Sequence, residues 1–340
     1  MGGGGGGGCN LRPFEWQQRS ENAVVLTPTL PSPLKGEGIR DLREKPLFLM
    51  DPALAAARFA HFVALMFVFG AGLFAWAFAP AALRAELAPR LKPWTIAATL
   101  VALASALVWL ALEAGSMSGD PGSALDLDTI RDVLDSTDFG GVWLGRLPGL
   151  LVLTGVVILT PAMKPALPTL VAAVALASLA LVDHAAMQSG GLGVAHRAND
   201  ALHLWLTGGW LGGLPAFALT LRLAGRAELA HAAEVAMLRF SAVGQLAVVG
   251  ILATGAANVA MTGGRVPWPP TSPYRALLIA KIAIVTVMIA LAVFNRFVLL
   301  PRIEHSPRAA GALRAFALVE LGLALTAVAL VSYFGLLDPA

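Results

Sequence analysis

Long apolar runs set the terms for this chain. Eight stretches of about 20 or more predominantly apolar residues recur along it, and that is the length a helix rising about 1.5 Å per residue needs to cross a hydrocarbon core of roughly 30 Å. A soluble domain would carry about a quarter of its residues charged; here 13% of 340 residues are charged and 57% are hydrophobic. The chain therefore reads as an all-α polytopic membrane helix bundle seated in the lipid bilayer. This excludes a soluble enzyme and a nucleic-acid binder. The formal net charge of +3 then records topology rather than an acidic partner, because Lys and Arg placement orients spanning helices. A single cysteine, Cys9, excludes a disulfide framework and any Cys-x-x-Cys site, so soft-metal chemistry falls to His and Met.

Apolar continuity, read against turn and charge signals, places helices at about 53–79, 93–114, 142–162, 166–187, 199–222, 236–260, 274–300 and 311–336. Pro80, Pro89 to Pro93, the acidic stretch Asp120 to Asp138, Pro161 to Pro168, Ser189 to Gly193, Arg222 to Glu234, Gly263 to Pro273 and Pro301 to Pro307 mark the breaks. An even number of spans puts both ends of the helical core on one side. Basic residues concentrate in the loops after the odd-numbered spans, among them Arg84, Arg90, Lys92, Lys164, Arg222 and Arg302. The opposite side holds fewer, including Arg58, Arg131, Arg146, Arg197, Arg265 and Arg275, and one of its loops carries Asp120, Asp126, Asp128, Asp132, Asp135 and Asp138. The basic loops thus face the cytoplasm, and both ends of the core face the periplasm.

Residues 1–49 do not belong with the spans. They hold a glycine run from Gly2 to Gly8, a Pro/Thr/Ser stretch from Thr27 to Pro33 and mixed charges from Lys35 to Lys45, with nothing to pack and without the order of a secretory signal. They read as a disordered tail or as residues ahead of the true start. Met50 stands directly before the first apolar helix, and the basic tail would otherwise have to cross the membrane, so the expected start is Met50 and the helical domain is 50–340.

Ionisable residues inside spans are costly and are functional candidates by default. His61 lies about 12 Å into the first helix from the outer side and His203 about 6 Å into the fifth. His184 sits near the outer end of the fourth, and Glu113, Met117, Met187, Asn258 and Met261 fall in the same layer. His196 is placed in an outer loop, and His231 and His305 in cytoplasmic ones. A layer of imidazoles and thioethers suits a soft metal ion, which makes His61, His184 and His203 the candidate ligands, with Met117 and Met187 beside them. Asp183, Asp200 and Asn258 are candidate hydrogen-bond partners that orient them, since a ligating His usually gives its other N–H to an oxygen. The plain alternative for a single helical His or Met is packing; three embedded His at one depth favour the site. Lys281, about 10 Å into the seventh helix from outside, and Glu320, about 13 Å into the eighth from inside, read first as scaffold charges, Glu320 pairing with Arg239 or Arg296, and second as a proton or ion relay. Gly208, Gly209, Gly212 and Gly213 in the fifth helix permit close helix contact.

Several short segments, taken in order, are similar to the bacterial copper resistance protein D family of eight-span inner-membrane proteins. They are ARFAH (Ala57 to His61), MSG (Met117 to Gly119), TDFGGVWLGR (Thr137 to Arg146), His184-Ala185, DALHLWLTGGWLGGLP (Asp200 to Pro215), RFS (Arg239 to Ser241), TGAAN (Thr254 to Asn258), Tyr274 with Lys281, Asn295-Arg296, Pro301 and Glu320. Two positions depart from that pattern: Asp183 where the family has Gly before the His, and Arg275 where Gly follows the Tyr. The resemblance implies copper, as Cu(I) or Cu(II), handled at His61, His184 and His203, and a small periplasmic partner of the copper resistance C type. With no phosphate-binding loop in the sequence, it implies a permease rather than an enzyme, moving copper from periplasm to cytoplasm. A haem-bearing electron-transfer protein, with paired His as axial ligands, and a copper-binding partner that docks a chaperone without transporting remain the competing expectations.

Overall fold

The computed structural model describes residues 1–3, 40–182, 188–262, 272–302 and 306–337. The helical core runs from Arg40 to Phe334. In chain order that core comprises α1 (Arg40–Leu73), which passes into a π-helical turn at Phe74–Phe78, and α2 (Ala81–Ser118). A 3-10 turn (Pro121–Leu125) leads to the short α3 (Leu127–Ser136), then α4 (Asp138–Leu159) and α5 (Ala166–Ala177, extended by a 3-10 turn to Leu181). α6 (Gly190–Leu223), α7 (Ala230–Thr262), α8 (Pro273–Phe294, continued by a π-helical turn Asn295–Leu299 and a 3-10 turn to Arg302) and α9 (Pro307–Phe334) complete it. The described residues contain no strand.

Seven of these helices are long and apolar enough to cross a membrane. The fourth expected span corresponds to the shorter apolar helix Ala166–Leu181, and positions 183–187 of that span lie outside the described residues. The helices also outrun their apolar centres. α2 begins at Ala81 rather than near 93 and continues through Pro89 and Pro93, and α6 begins at Gly190 rather than near 199. An apolar window reports only the part of a helix that hydrocarbon would cover, and in a bundle neighbouring groups take up the hydrogen bonds that proline removes. Lys92, expected in a loop, is accordingly on α2. Its ammonium donates to the carbonyls of Val157, Ile158 (3.2 Å) and Thr160 (2.5 Å) at the end of α4, a favourable place for a cation.

α1 is the central helix. In its span 61% of the apolar window is buried, against 11% for α8, so α8 offers most of its surface to lipid. The second half of α1 packs Phe62, Leu65 and Phe69 with Trp109, Trp143, Leu153 and Leu176 from α2, α4 and α5. Its end and the π turn pack Phe74 and Phe78 with Leu83, Trp210, Phe217 and Phe240. α1 and α6 meet backbone to backbone: a Cβ added at Gly212 would fall 1.8 Å from the Met66 carbonyl oxygen, and one at Gly70 would fall 2.3 Å from the Gly212 carbonyl carbon. The small-residue stripe therefore has α1 as its partner.

The acidic stretch after α2, read from sequence as a break, is ordered by its own carboxylates. Asp120 accepts from the Gly122 amide at 2.9 Å, Asp126 from the Asp128 amide at 3.3 Å and the Thr129 hydroxyl at 2.9 Å, and Thr137 caps α4 through the Gly140 amide at 2.9 Å. The Thr129 hydroxyl and the backbone amides hold the Asp126 carboxyl below its ordinary value of 3.8.

Candidate functional site

Two polar networks are built into the helical core, and each contains one of the histidines singled out from sequence. The first joins α1, α2 and α4. His61 is fully buried. Its Nδ1 lies 2.8 Å from the Ala102 carbonyl, with the Ser105 hydroxyl at 3.3 Å; a carbonyl only accepts, so Nδ1 carries the proton. The lone pair is then on Nε2, which accepts from the Arg146 guanidinium at 2.8 Å. Arg146 also donates to the Ser178 hydroxyl. Arg58 stacks 4.7 Å over Trp109, whose indole N–H donates to Glu113 at 3.3 Å. Arg58 and Arg146, counted from sequence with the charges of the outer side near the ends of their spans, are both buried inside the bundle, at 4% and 5% exposure. The His61 lone pair thus points at a guanidinium, with a second arginine close by. That arrangement opposes a metal cation at this ring.

The second network joins α6 and α7. His203 Nδ1 lies 2.8 Å from the Thr254 hydroxyl, which itself donates to the Gly250 carbonyl at 2.7 Å. With the hydroxyl hydrogen so used, the imidazole is the donor, and the lone pair sits on Nε2. One turn outward, Asn199 donates to the Thr254 carbonyl at 2.9 Å and to the Asn258 side-chain oxygen at 2.6 Å, and Asn258 donates to Asp200 at 2.9 Å. Farther out still, Gln188 accepts from His196 at 3.0 Å and donates to the Met261 carbonyl at 2.5 Å. From α8, Lys281 sets its ammonium 5.8 Å over the Phe334 ring and acts electrostatically on His203.

His196 is the residue that the sequence reading misplaced. It sits inside α6 at 3% exposure, not in a loop, because α6 begins nine residues earlier than its apolar run. The signal was present: His196, Asn199, Asp200 and His203 follow the i, i+3, i+4, i+7 spacing of one helix face.

The remaining sequence candidates separate. Met117 ends α2 at 47% exposure. Glu320 on α9 accepts from the Asn295 amide at 3.0 Å, and among the described residues neither Arg239 nor Arg296 pairs with it, so the expected ion pair gives way to an amide contact. Asp183, His184 and Met187 lie outside the described residues, as does His305. Among the described residues no three His, Cys, Asp or Glu side chains are grouped to hold a metal ion. His61 and His203 stand in separate networks, and the His203 lone pair, on Nε2, is directed away from its hydrogen-bond partner Thr254.

Comparison with known proteins covers nearly all of this architecture. Residues 49–194 match the family model described as copper resistance protein D-like, N-terminal domain, and residues 234–334 match that described as copper resistance protein D. The chain is 32% identical over 287 residues to inner membrane protein YebZ of Escherichia coli (strain K12), spanning 84% of this chain and 97% of that protein. It is 32% identical over 303 residues to copper resistance protein D of Pseudomonas syringae pv. tomato, spanning 85% and 97%. No solved structure matches it. The α6–α7 polar seam and the arginine-locked His61 both fall within the stretch shared with these relatives, and on that shared length the chain belongs to the copper resistance protein D family.

Proposed function

We propose that this chain is a copper permease of the bacterial inner membrane, not an enzyme, with both ends of its helical core periplasmic. Copper arriving from the periplasm meets the outer end of the seam between α6 and α7. The observation that carries this reading is the fixed tautomer of His203: with Nδ1–H given to Thr254, Nε2 is presented as a ligand, and the Asn199–Asn258–Asp200 chain of hydrogen bonds ties α6 to α7 one turn away. His184 and Met187, just ahead of α6 in the sequence, supply the further imidazole and thioether that Cu(I) favours. The exposed carboxylates of the segment around α3 provide a docking face for a periplasmic copper-binding protein of the copper resistance C type, which arrives with its cargo and is steered by charge. Movement is inward, downhill or coupled to the membrane potential.

The test is copper accumulation in cells carrying the wild-type chain, a His184→Ala/His203→Ala variant matched for membrane level, and an empty vector. Uptake raised by the wild type alone supports an inward copper path through the seam. Lowered copper reverses the direction. Equal copper in all three strains removes the permease reading and leaves the docking role, which binding of the purified periplasmic protein would register, or a haem spectrum in the purified chain.

A further inference from the structure

In the inner half of the bundle, away from both outer networks, a carboxyl and an amide face each other with an unequal set of hydrogen bonds. Glu320 is on the buried face of α9 that also carries Leu313, Ala317 and Ala324, and is itself 4% exposed. It lies about 14 Å into the apolar span that begins at Gly311. Opposite it, the π-helical turn Asn295–Leu299 at the end of α8 brings in Asn295, 8% exposed. The Asn295 Nδ2 donates to Glu320 Oε1 at 3.0 Å, and the Asn295 Oδ1 is buried with no hydrogen-bond partner. Basic groups at the inner ends of the surrounding helices are Arg222 on α6, Arg296 and Arg302 on the continuation of α8, and Arg314 on α9; among the described residues none forms an ion pair with Glu320. Lys281 and His203 belong to the opposite end of these helices.

An ionised carboxylate with one amide donor and no cation is costly in such apolar surroundings. A neutral carboxylic acid removes both problems at once. Its hydroxyl supplies the hydrogen that Asn295 Oδ1 lacks, and the acid and amide close a ring of two parallel hydrogen bonds.

We propose that Glu320 and Asn295 form a proton-binding site within the membrane, whose occupation fastens α9 to the π-helical turn of α8. When Glu320 releases its proton to water at the cytoplasmic side, the Oε2–H···Oδ1 bond is lost, the Nδ2–H···Oε1 bond stays, and Asn295 Oδ1 is left without a donor. A π-helical turn is a costly insertion that recurs at functional sites; here it sets the amide against the carboxyl. The site does not depend on the copper reading, since it involves neither outer network.

The experiment is infrared spectroscopy of the full chain in lipid nanodiscs without copper, prepared with isotope-labelled glutamate and titrated from mildly acidic to alkaline pH. A label-sensitive carboxylic-acid carbonyl band that persists around neutrality, disappears at alkaline pH, is missing in Glu320→Gln and shifts in Asn295→Leu supports the proposal. Glu320→Gln keeps both hydrogen bonds and so is expected to fold, and the wild-type titration stands without any variant. Coincident spectra of wild type and Glu320→Gln across the range overturn it. So does a band that Asn295→Leu leaves in place. Loss of the band at fixed pH when sodium replaces choline also overturns it, because a metal cation would then be the occupant.

Discussion

His61 and His203 are two membrane-embedded imidazoles in the same half of one bundle, and their surroundings give them opposite uses. The α1–α2–α4 network takes both nitrogens of His61: a carbonyl holds the proton and a guanidinium takes the lone pair. The α6–α7 network takes only the proton of His203, through Thr254. Residue type is shared, so the difference lies in what the facing helix offers. A histidine opposite arginine becomes a hydrogen-bonded strut joining three helices; opposite a hydroxyl that has already spent its hydrogen, it becomes an oriented ligand.

The severest way to break this comparison is to separate the helices that bear the two rings. Gly212→Leu puts a side chain where even a Cβ meets the Met66 carbonyl at 1.8 Å. A loss of at least ~3 kcal/mol is expected, seen as collapse of folded protein in detergent and loss of both networks together. Next, Arg146→Met removes the donor to His61 and leaves a buried lone pair without a partner, at a cost of about 1–3 kcal/mol. Thermal unfolding is expected to shift accordingly while copper handling by protein that reaches the membrane stays near wild type. A fall in copper handling equal to that of His203→Ala would place His61 in the copper path and dissolve the distinction.

His203→Ala is the sharpening experiment. It forfeits one hydrogen bond of about 0.5–1.5 kcal/mol, so a small change in unfolding temperature is expected beside a large fall in copper accumulation. The smallest effect is expected at Asp126, which caps α3 far from either ring. Its carboxyl titrates below the ordinary value of 3.8, so its support of the helix is complete above that pH and fades as pH falls through the lowered value. Amide exchange across α3 should quicken only in that acidic range, and Asp126→Asn should flatten the response.

How much of this was legible in the residues varies with the kind of interaction. The spans were, because hydrocarbon thickness writes itself into apolar length. Helix ends were not: the polar turns that extend α6 to Gly190 place His196 and Arg197 on Gln188, which in turn donates to the Met261 carbonyl of α7, and hydropathy carries no record of a partner. The same limit hid His196 within a supposed loop, although its helical spacing to His203 was there to be read. His61 could be recognised as embedded, but its engagement depended on Arg146, distant by 85 positions and counted only toward the orientation of the spans. Glu320 was assigned an arginine partner on charge alone, whereas the π-helical turn delivers Asn295. Nothing in local periodicity announces such a turn.

The glycine crossing has one more consequence, for the azimuth of the ligand rather than for packing. Because Gly70 and Gly212 leave no room for slippage, they pin α6 against α1 at one rotational setting. His203 is nine residues upstream of Gly212, about two and a half turns along a helix of 3.6 residues per turn. Deleting a single residue between them would swing the imidazole by roughly 100° about the helix axis, carrying it off the seam with Thr254 while every side chain in the site remained chemically intact. The crossing is thus the index mark from which the bearing of His203 is measured, and the stretch from His203 to Gly212 should be intolerant of any change of length.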